Sequence, residues 1–74
     1  MTVKVNKTTQ LYIGKKLRDF REEKKLSQES VADAVGISVT YYAGIERGEE
    51  NPTVAVIEEL CKLFKIKSAN IFPF

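Results

Sequence analysis

The sequence lacks several residue types on which enzyme chemistry and extracellular stability depend. It has no histidine, no tryptophan, only two prolines and a single cysteine, Cys61. One cysteine cannot form an internal disulfide, which predicts a protein of the reducing cytoplasm. The chain also has no phosphate-binding glycine loop and no residues spaced as metal ligands, so we expect neither an enzyme nor a bound cofactor or metal.

Long apolar runs are missing as well. No segment approaches the roughly 20 apolar residues of a membrane-spanning helix, and the first residues lack the apolar stretch of a secretion signal. What remains is the ordinary composition of one small globular domain, with 74 residues of which 43% are hydrophobic and 30% charged. That composition argues against disorder. Because a second domain is absent, we expect no small-molecule effector, and we expect no membrane contact.

The charge is unevenly distributed along the chain. Residues 1–25 hold eight basic and three acidic side chains, whereas residues 26–60 hold one basic and seven acidic. Three lysines follow, and the net charge is +2. Basic ends favour a nucleic-acid partner and the acidic middle disfavours one, so charge alone leaves the partner open.

The spacing of apolar residues predicts helices over most of the chain. Residues 1–10 are expected to form a flexible N-terminal arm, or a strand if a partner offers an edge, ahead of a domain over residues 11–74. A first helix is predicted over 11–25, followed by shorter ones over 28–35, 39–47 and 54–64 and a fifth up to Phe72. The expected N-caps are Ser27, Ser38, Thr53 and Ser68, and the expected stops are Gly36, Gly48 and Pro73.

The second and third helices have the arrangement of a DNA-binding helix-turn-helix, two short helices joined by a turn with glycine. Gly36 makes the turn, and Ala32 is small where the helices cross. One face of the third helix stays free, and amide groups at the start of the second helix can hold a phosphate. The residues expected to face inward are Val31, Val35, Ile37, Tyr42 and Ile45.

The motifs Leu26–Ala32, Val35–Ser38, Ile45–Gly48 and Asn51–Thr53 resemble the Cro/phage-repressor (XRE-like) helix-turn-helix family, over residues 13–72. The resemblance implies an all-α, compact five-helix, lambda-repressor-like domain. It also implies a transcriptional regulator that binds double-stranded operator DNA, usually as a homodimer. The stretch 40–48 is similar to the controller proteins of restriction–modification systems.

The resemblance also implies roles for single residues. Gln28 would contact a phosphate and support the first residue of the third helix, Tyr41 would lie near the DNA backbone, and Arg21 and Glu46 match a buried ion pair. The predicted DNA-binding residues are Gln28, Ser38, Val39, Thr40, Tyr41, Ala43, Gly44, Arg47 and Asn51. For Gln28, Tyr41, Arg47 and Asn51, an ordinary surface, capping or dimer role remains the alternative.

The predicted base-reading face departs from the family pattern, because its four residues (39, 40, 43 and 44) are small or apolar where relatives often carry Gln, Arg, Lys or Asn. Only Thr40 among them can hydrogen-bond through its side chain. We therefore expect modest direct readout, with more specificity from DNA shape. The acidic pair Glu49 and Glu50 would repel phosphates unless it points away.

The sequence leaves two questions open. The apolar C-terminal residues either pack within the monomer or build a dimer interface. The weak reading face leaves a protein-interaction module as the alternative to a DNA-binding regulator, and an antitoxin that represses its own operon is a further possibility. The residues considered for the interface are Val56, Leu63, Ile71, Phe72 and Phe74.

Overall fold

A computed structural model of the chain describes residues 5–74 and contains four α-helices. They are α1 (Lys7–Glu23), α2 (Gln28–Val35), α3 (Val39–Glu46) and α4 (Val54–Phe64). The predicted all-helical helix-turn-helix class is confirmed, but the fifth α-helix is wrong, since only a 3-10 turn, Ser68–Asn70, follows α4. The Asn70 side chain accepts from the Lys67 N–H at 2.9 Å and closes this turn on itself. Pro73 has no amide hydrogen with which to extend it.

Polar side chains start α2, α3 and α4 as predicted. Ser27 accepts from the Ser30 N–H at 3.0 Å, Ser38 from the Tyr41 N–H at 3.1 Å and Thr53 from the Val56 N–H at 3.2 Å. Each bond satisfies an amide that the helix itself leaves free. Gly36 ends α2 with a φ of 79°, a left-handed conformation that glycine adopts without steric cost. These local signals confirm both N-caps of the helix-turn-helix and the glycine of its turn.

Helix α1 begins one turn earlier than predicted. Asn6 is its N-cap, and the Asn6 Oδ1 accepts from the Thr9 N–H at 2.8 Å. Residues 7–10 are therefore helical, which contradicts the predicted flexible arm over that stretch; the part of that prediction that concerns residues 1–4 lies outside the described residues. The helix ends at Glu23, before the predicted Lys25, because Lys25 adopts a positive φ of 58°.

The helices enclose one apolar core. Helix α3 packs against α1 and α2, helix α2 also packs against α4, and the 3-10 turn packs against α4. Within the described part of the chain, no helix is both long and apolar enough to cross a membrane. The buried apolar residues are Ile13, Leu17, Val31, Ala32, Tyr42, Ile45, Leu60, Phe64 and Ile71.

Helices α1 and α3 approach closely at Gly14. A Cβ at this position would lie 2.5 Å from the carbonyl oxygen of Glu46. Glycine is thus required here by the closeness of another backbone, although Gly14 sits inside an ordinary helix. This crossing fixes where α3 stands on the rest of the domain.

Candidate nucleic-acid interface

Helix α3 presents one face to solvent. Ser38, Val39 and Thr40 at its start are exposed, Ala43 is half-buried, and the Arg47 side chain at its end is 55% exposed. The opposite face carries Tyr42 and Ile45, which are buried in the core. The packed face fixes the helix to the domain, and the open face is available to a large partner.

Gly44 does not belong to this open face, so its assignment to the base-reading residues is wrong. It is buried, because the side chain of Glu50 from the following loop lies over it. A Cβ at Gly44 would lie 2.7 Å from Glu50 Cγ. The helical position points outward as predicted, but the loop after α3 folds back and covers it.

Arg21 and Glu46 form a double ion pair between α1 and α3. Arg21 Nε lies 2.6 Å from Glu46 Oε2, and Arg21 Nη2 lies 3.1 Å from Glu46 Oε1. The two side chains are only 12% and 3% exposed, respectively. Arg21 Nη1 also donates to the carbonyl oxygen of Leu26 at 2.8 Å, so the pair fixes the connection between α1 and α2 as well.

Gln28 joins the same network from the start of α2. Its Nε2 donates to Glu46 Oε1 at 2.9 Å, and the side chain is half-buried. Because an amide nitrogen carries two hydrogens, the second remains for another acceptor such as a phosphate oxygen. The phosphate contact of Gln28 stays a prediction, and the geometry adds that Glu46 orients the side chain that would make it.

The surroundings of Glu46 set its protonation state. Burial favours the neutral acid, but hydrogen bonds from Arg21 and Gln28 and the nearby Tyr42 hydroxyl outweigh it and lower the pKa of Glu46. Burial and the neighbouring carboxylate raise the pKa of Tyr42 far above its ordinary value. The Tyr42 side chain is 0% exposed, and within residues 5–74 no group meets its hydroxyl in hydrogen-bond geometry. Glu46 is thus held as an anion and Tyr42 as a neutral phenol.

The loop between α3 and α4 is tied to α3 and to α1. The Tyr41 hydroxyl donates to the carbonyl oxygen of Asn51 at 2.9 Å, and Gln10 Nε2 donates to Asn51 Oδ1 at 2.8 Å. Lys7 Nζ donates to the carbonyl oxygen of Gly48. Tyr41 and Asn51 therefore have structural partners, and their predicted contacts with DNA remain predictions.

Lys7 and Gln10 hold the loop beside the candidate site, a role that the sequence analysis missed because both residues fall in the predicted flexible arm. The Asn6 cap, an asparagine ahead of a helix, is the local signal that could have extended α1 to include them. Their side chains bring a positive charge and an amide to the loop beside α3. Arg47, in contrast, is paired with Glu49 at 3.1 Å.

A family model described as helix-turn-helix matches residues 17–71 of this chain. The chain belongs to the helix-turn-helix family. The control protein C.MunI of a Mycoplasma species is 37% identical over 80% of this chain and 81% of its own length. The transcriptional repressor RstR of the cryptic phage CTXphi of Vibrio cholerae is 34% identical over 76% of this chain. This chain spans only half of the length of RstR.

A solved relative shares the arrangement of the helices. The restriction–modification controller protein C.AhdI from Aeromonas hydrophila has a TM-score of 0.82 and 32% identity, and the match covers 88% of this chain and 98% of that one. The resemblance to phage repressors and to controller proteins is therefore confirmed. By fold and family, this helix-turn-helix chain is a DNA-binding transcriptional regulator.

The C-terminal part of the helix-turn-helix domain divides between core and surface. Ile71 is 0% exposed, so its assignment to a dimer interface is wrong: it fills the core where the 3-10 turn meets α4. Val56, Leu63 and Phe72 are half-buried against the same core. Phe74 is 90% exposed, and its ring stacks on that of Phe72 with centroids 5.4 Å apart.

A shallow apolar groove on α4 is a feature that the sequence analysis did not single out. Its apolar lining is formed by Val54, Ile57, Cys61 and Ile66, and lysines stand at its edge. Val54 is 83% exposed. Val54, Ile57 and Cys61 lie on α4, and the sequence shows no boundary between the apolar residues of α4 that pack inward and those left in solvent.

Proposed function

We propose that this chain is a sequence-specific regulator of the repressor or controller type that binds operator DNA as a homodimer, with α3 in the major groove. The observation that carries the proposal is the open face of α3 beside the start of α2. A helix fits the major groove of B-DNA, and the free amides at the start of α2 suit a phosphate. The names of the related repressor RstR and of the controller C.MunI support this type of regulator.

The composition of the open face limits how it reads bases. Val39 and the methyl group of Thr40 suit the methyl group of thymine, and the exposed Thr40 side chain also offers a hydroxyl for hydrogen bonding. None of these side chains makes the bidentate pairs with guanine or adenine that carry most direct readout. Specificity therefore depends in part on DNA shape and on the spacing of two half-sites.

Exposed apolar groups on α4 and at the C-terminus support a dimer. Val54 and Phe74 are the most exposed large apolar residues among residues 5–74, and the apolar groove on α4 begins at Val54. A second copy of the same surface covers such groups symmetrically, and a two-fold dimer matches a palindromic operator. Val54, Ile57 and Phe74 are the proposed centre of this interface.

Selection from random DNA tests the proposed function. The purified protein is titrated with random duplexes of about 30 base pairs at low and physiological salt, and the bound pool is sequenced. We expect binding that weakens with salt and enrichment of a palindrome with half-sites about one helical turn apart. An absence of binding at low salt would contradict the proposal.

The selection from random DNA also tests a second candidate function. The acidic side chains of Glu49 and Glu50 lie beside the open face, where Glu49 neutralises Arg47 and Glu50 covers Gly44. This charge favours a protein-interaction module that has retained the helix-turn-helix fold. Failure to bind DNA would favour that second function, and a pull-down with this chain as bait would then be the next experiment.

The variant Val54→Asp tests the dimer separately from DNA binding. A charge in the centre of the proposed interface should shift the protein from dimer to monomer, because burying a carboxylate costs far more free energy than burying the valine that it replaces. Sedimentation equilibrium at micromolar concentrations measures the mass. The matched control is Ala55→Asp, which places the same charge on the next exposed residue of α4, outside the groove lining. If the two variants have equal masses, the dimer interface does not include Val54.

A further inference from the structure

The side chain of Glu50 takes the place that a side chain at Gly44 would occupy on α3. Gly44 has no Cβ, and the Cγ and Cβ of Glu50 lie 2.7 and 3.6 Å from the point where a Cβ would stand. The same point is 3.8 Å from Arg47 Nη2. Glu50 therefore lies on the outward side of α3, between two positions that point away from the core, although it belongs to the following loop.

The backbone around Glu50 is held to α3. The N–H groups of Glu49 and Glu50 donate to the carbonyl oxygen of Gly44 at 2.9 and 3.2 Å. One residue further on, Asn51 is fixed by the Tyr41 hydroxyl and by Gln10 Nε2. These hydrogen bonds hold the backbone at Glu50 against α3, and a side chain that reads bases requires such a fixed position.

Within the described residues 5–74, the carboxylate of Glu50 forms no ion pair. Among residues 5–74, the structure pairs Arg47 with Glu49 and gives Glu50 no basic partner within 4 Å. Glu50 is exposed. An ionised carboxylate only accepts hydrogen bonds, so its natural partners on an exposed DNA-facing surface are the amino groups at the edges of bases.

We infer that Glu50 is a base-reading residue that selects cytosine, with Gly44 providing the space for its side chain. This inference rests on the proposed function. In the major groove, cytosine presents its N4 amino group, with which a glutamate side chain pairs. Guanine presents only the acceptors N7 and O6, and thymine presents the acceptor O4. A carboxylate placed against those acceptors is repelled, so Glu50 rejects them as well as favouring cytosine.

The test compares the sites selected by three proteins: wild type, Glu50→Gln and the matched control Glu49→Gln. Both variants remove one negative charge from adjacent exposed loop residues. We expect one position in each half-site to be cytosine for wild type and for Glu49→Gln. For Glu50→Gln, we expect that position to change toward adenine, because the amide of glutamine can both donate and accept there.

Binding measurements give the size of the effect. Fluorescence anisotropy is recorded on the wild-type site and on a site in which that C·G pair is replaced by T·A, at one fixed salt concentration. We expect the replacement to weaken wild-type binding by about five- to tenfold and to leave Glu50→Gln nearly unaffected. Far-UV circular dichroism and urea unfolding of each variant confirm that it is folded.

Three results would overturn the inference. If Glu50→Gln selects the same sites as wild type, Glu50 reads no base and the proposed function still stands. If both variants strengthen binding equally at every site, Glu50 acts only as a charge that repels phosphates. If wild-type protein enriches no site at all, the proposed function fails and the inference fails with it.

Discussion

Replacement of Gly14 by alanine is expected to lower the free energy of unfolding by about 3 kcal/mol. Helix propensity alone predicts the opposite sign, since alanine stabilises a helix interior by roughly 1 kcal/mol relative to glycine. The added methyl group, however, would lie 2.5 Å from the carbonyl oxygen of Glu46 and 2.8 Å from its carbonyl carbon. Both are backbone atoms of α3, so they cannot yield without moving the helix. The free-energy cost of this clash therefore outweighs the gain in helix propensity.

Urea unfolding followed by far-UV circular dichroism measures this loss. All variants are compared at one protein concentration, because dimerisation makes the unfolding midpoint depend on concentration. The control is Lys15→Ala on the neighbouring residue of α1, whose side chain is 75% exposed and forms a surface ion pair with Asp19. We expect the control to change stability by at most about 0.5 kcal/mol. A Gly14→Ala protein as stable as wild type would mean that α1 and α3 cross less tightly than described.

Replacement of Glu46 by glutamine is expected to cost about 3 kcal/mol or more. The change keeps the size of the side chain but leaves the guanidinium of Arg21, which is 12% exposed, without an anion. Gln28 also loses a charged acceptor. The penalty of an unpaired buried charge exceeds the small net value of an ordinary hydrogen bond, which is about 1 kcal/mol. The matched control is Glu22→Gln in the exposed ion pair with Arg18, for which we expect little change.

The pH dependence of stability distinguishes the contribution of the Glu46 charge from that of its packing. The pKa of Glu46 is lowered in the folded state, so its ionised form contributes stability above the unfolded value for glutamate, near 4.3. That contribution is lost as pH falls through the lowered folded value. The difference in stability between wild type and Glu46→Gln should therefore narrow from about pH 5 downward. A difference that stays constant to pH 3 would assign the loss to packing.

The expected loss of stability at Glu46 affects how DNA-binding mutants are interpreted. Glu46 lies behind Gln28 and within the α1–α3 crossing, so a Glu46 variant that fails to bind DNA has lost structure before it has lost a contact. Thr40 and Arg47 are exposed and separate from the Arg21–Glu46 pair. Substitutions at these two positions test contact with DNA without first destabilising the domain.

The sequence by itself determined the helical framework. Ser27, Ser38 and Thr53 each bond an amide three residues away, and Gly36 adopts the conformation that its own backbone permits. These effects are local, so the residue types and their spacing were enough to place α2, α3 and the turn between them. The Asn6 cap is equally local, since its side chain bonds the amide of Thr9, three residues away.

The tertiary structure alone decided which residues of that framework face a partner. Gly44 was expected in the reading face and is buried, because Glu50 folds over it from another segment. The loop that carries Glu50 is held by Lys7 and Gln10, which are 41 residues away from their partners in the chain. Ile71 is likewise buried, and position 14 requires glycine because the backbone of α3 lies close to it. No periodicity encodes such contacts, since each depends on where a distant segment comes to lie after the helices have packed.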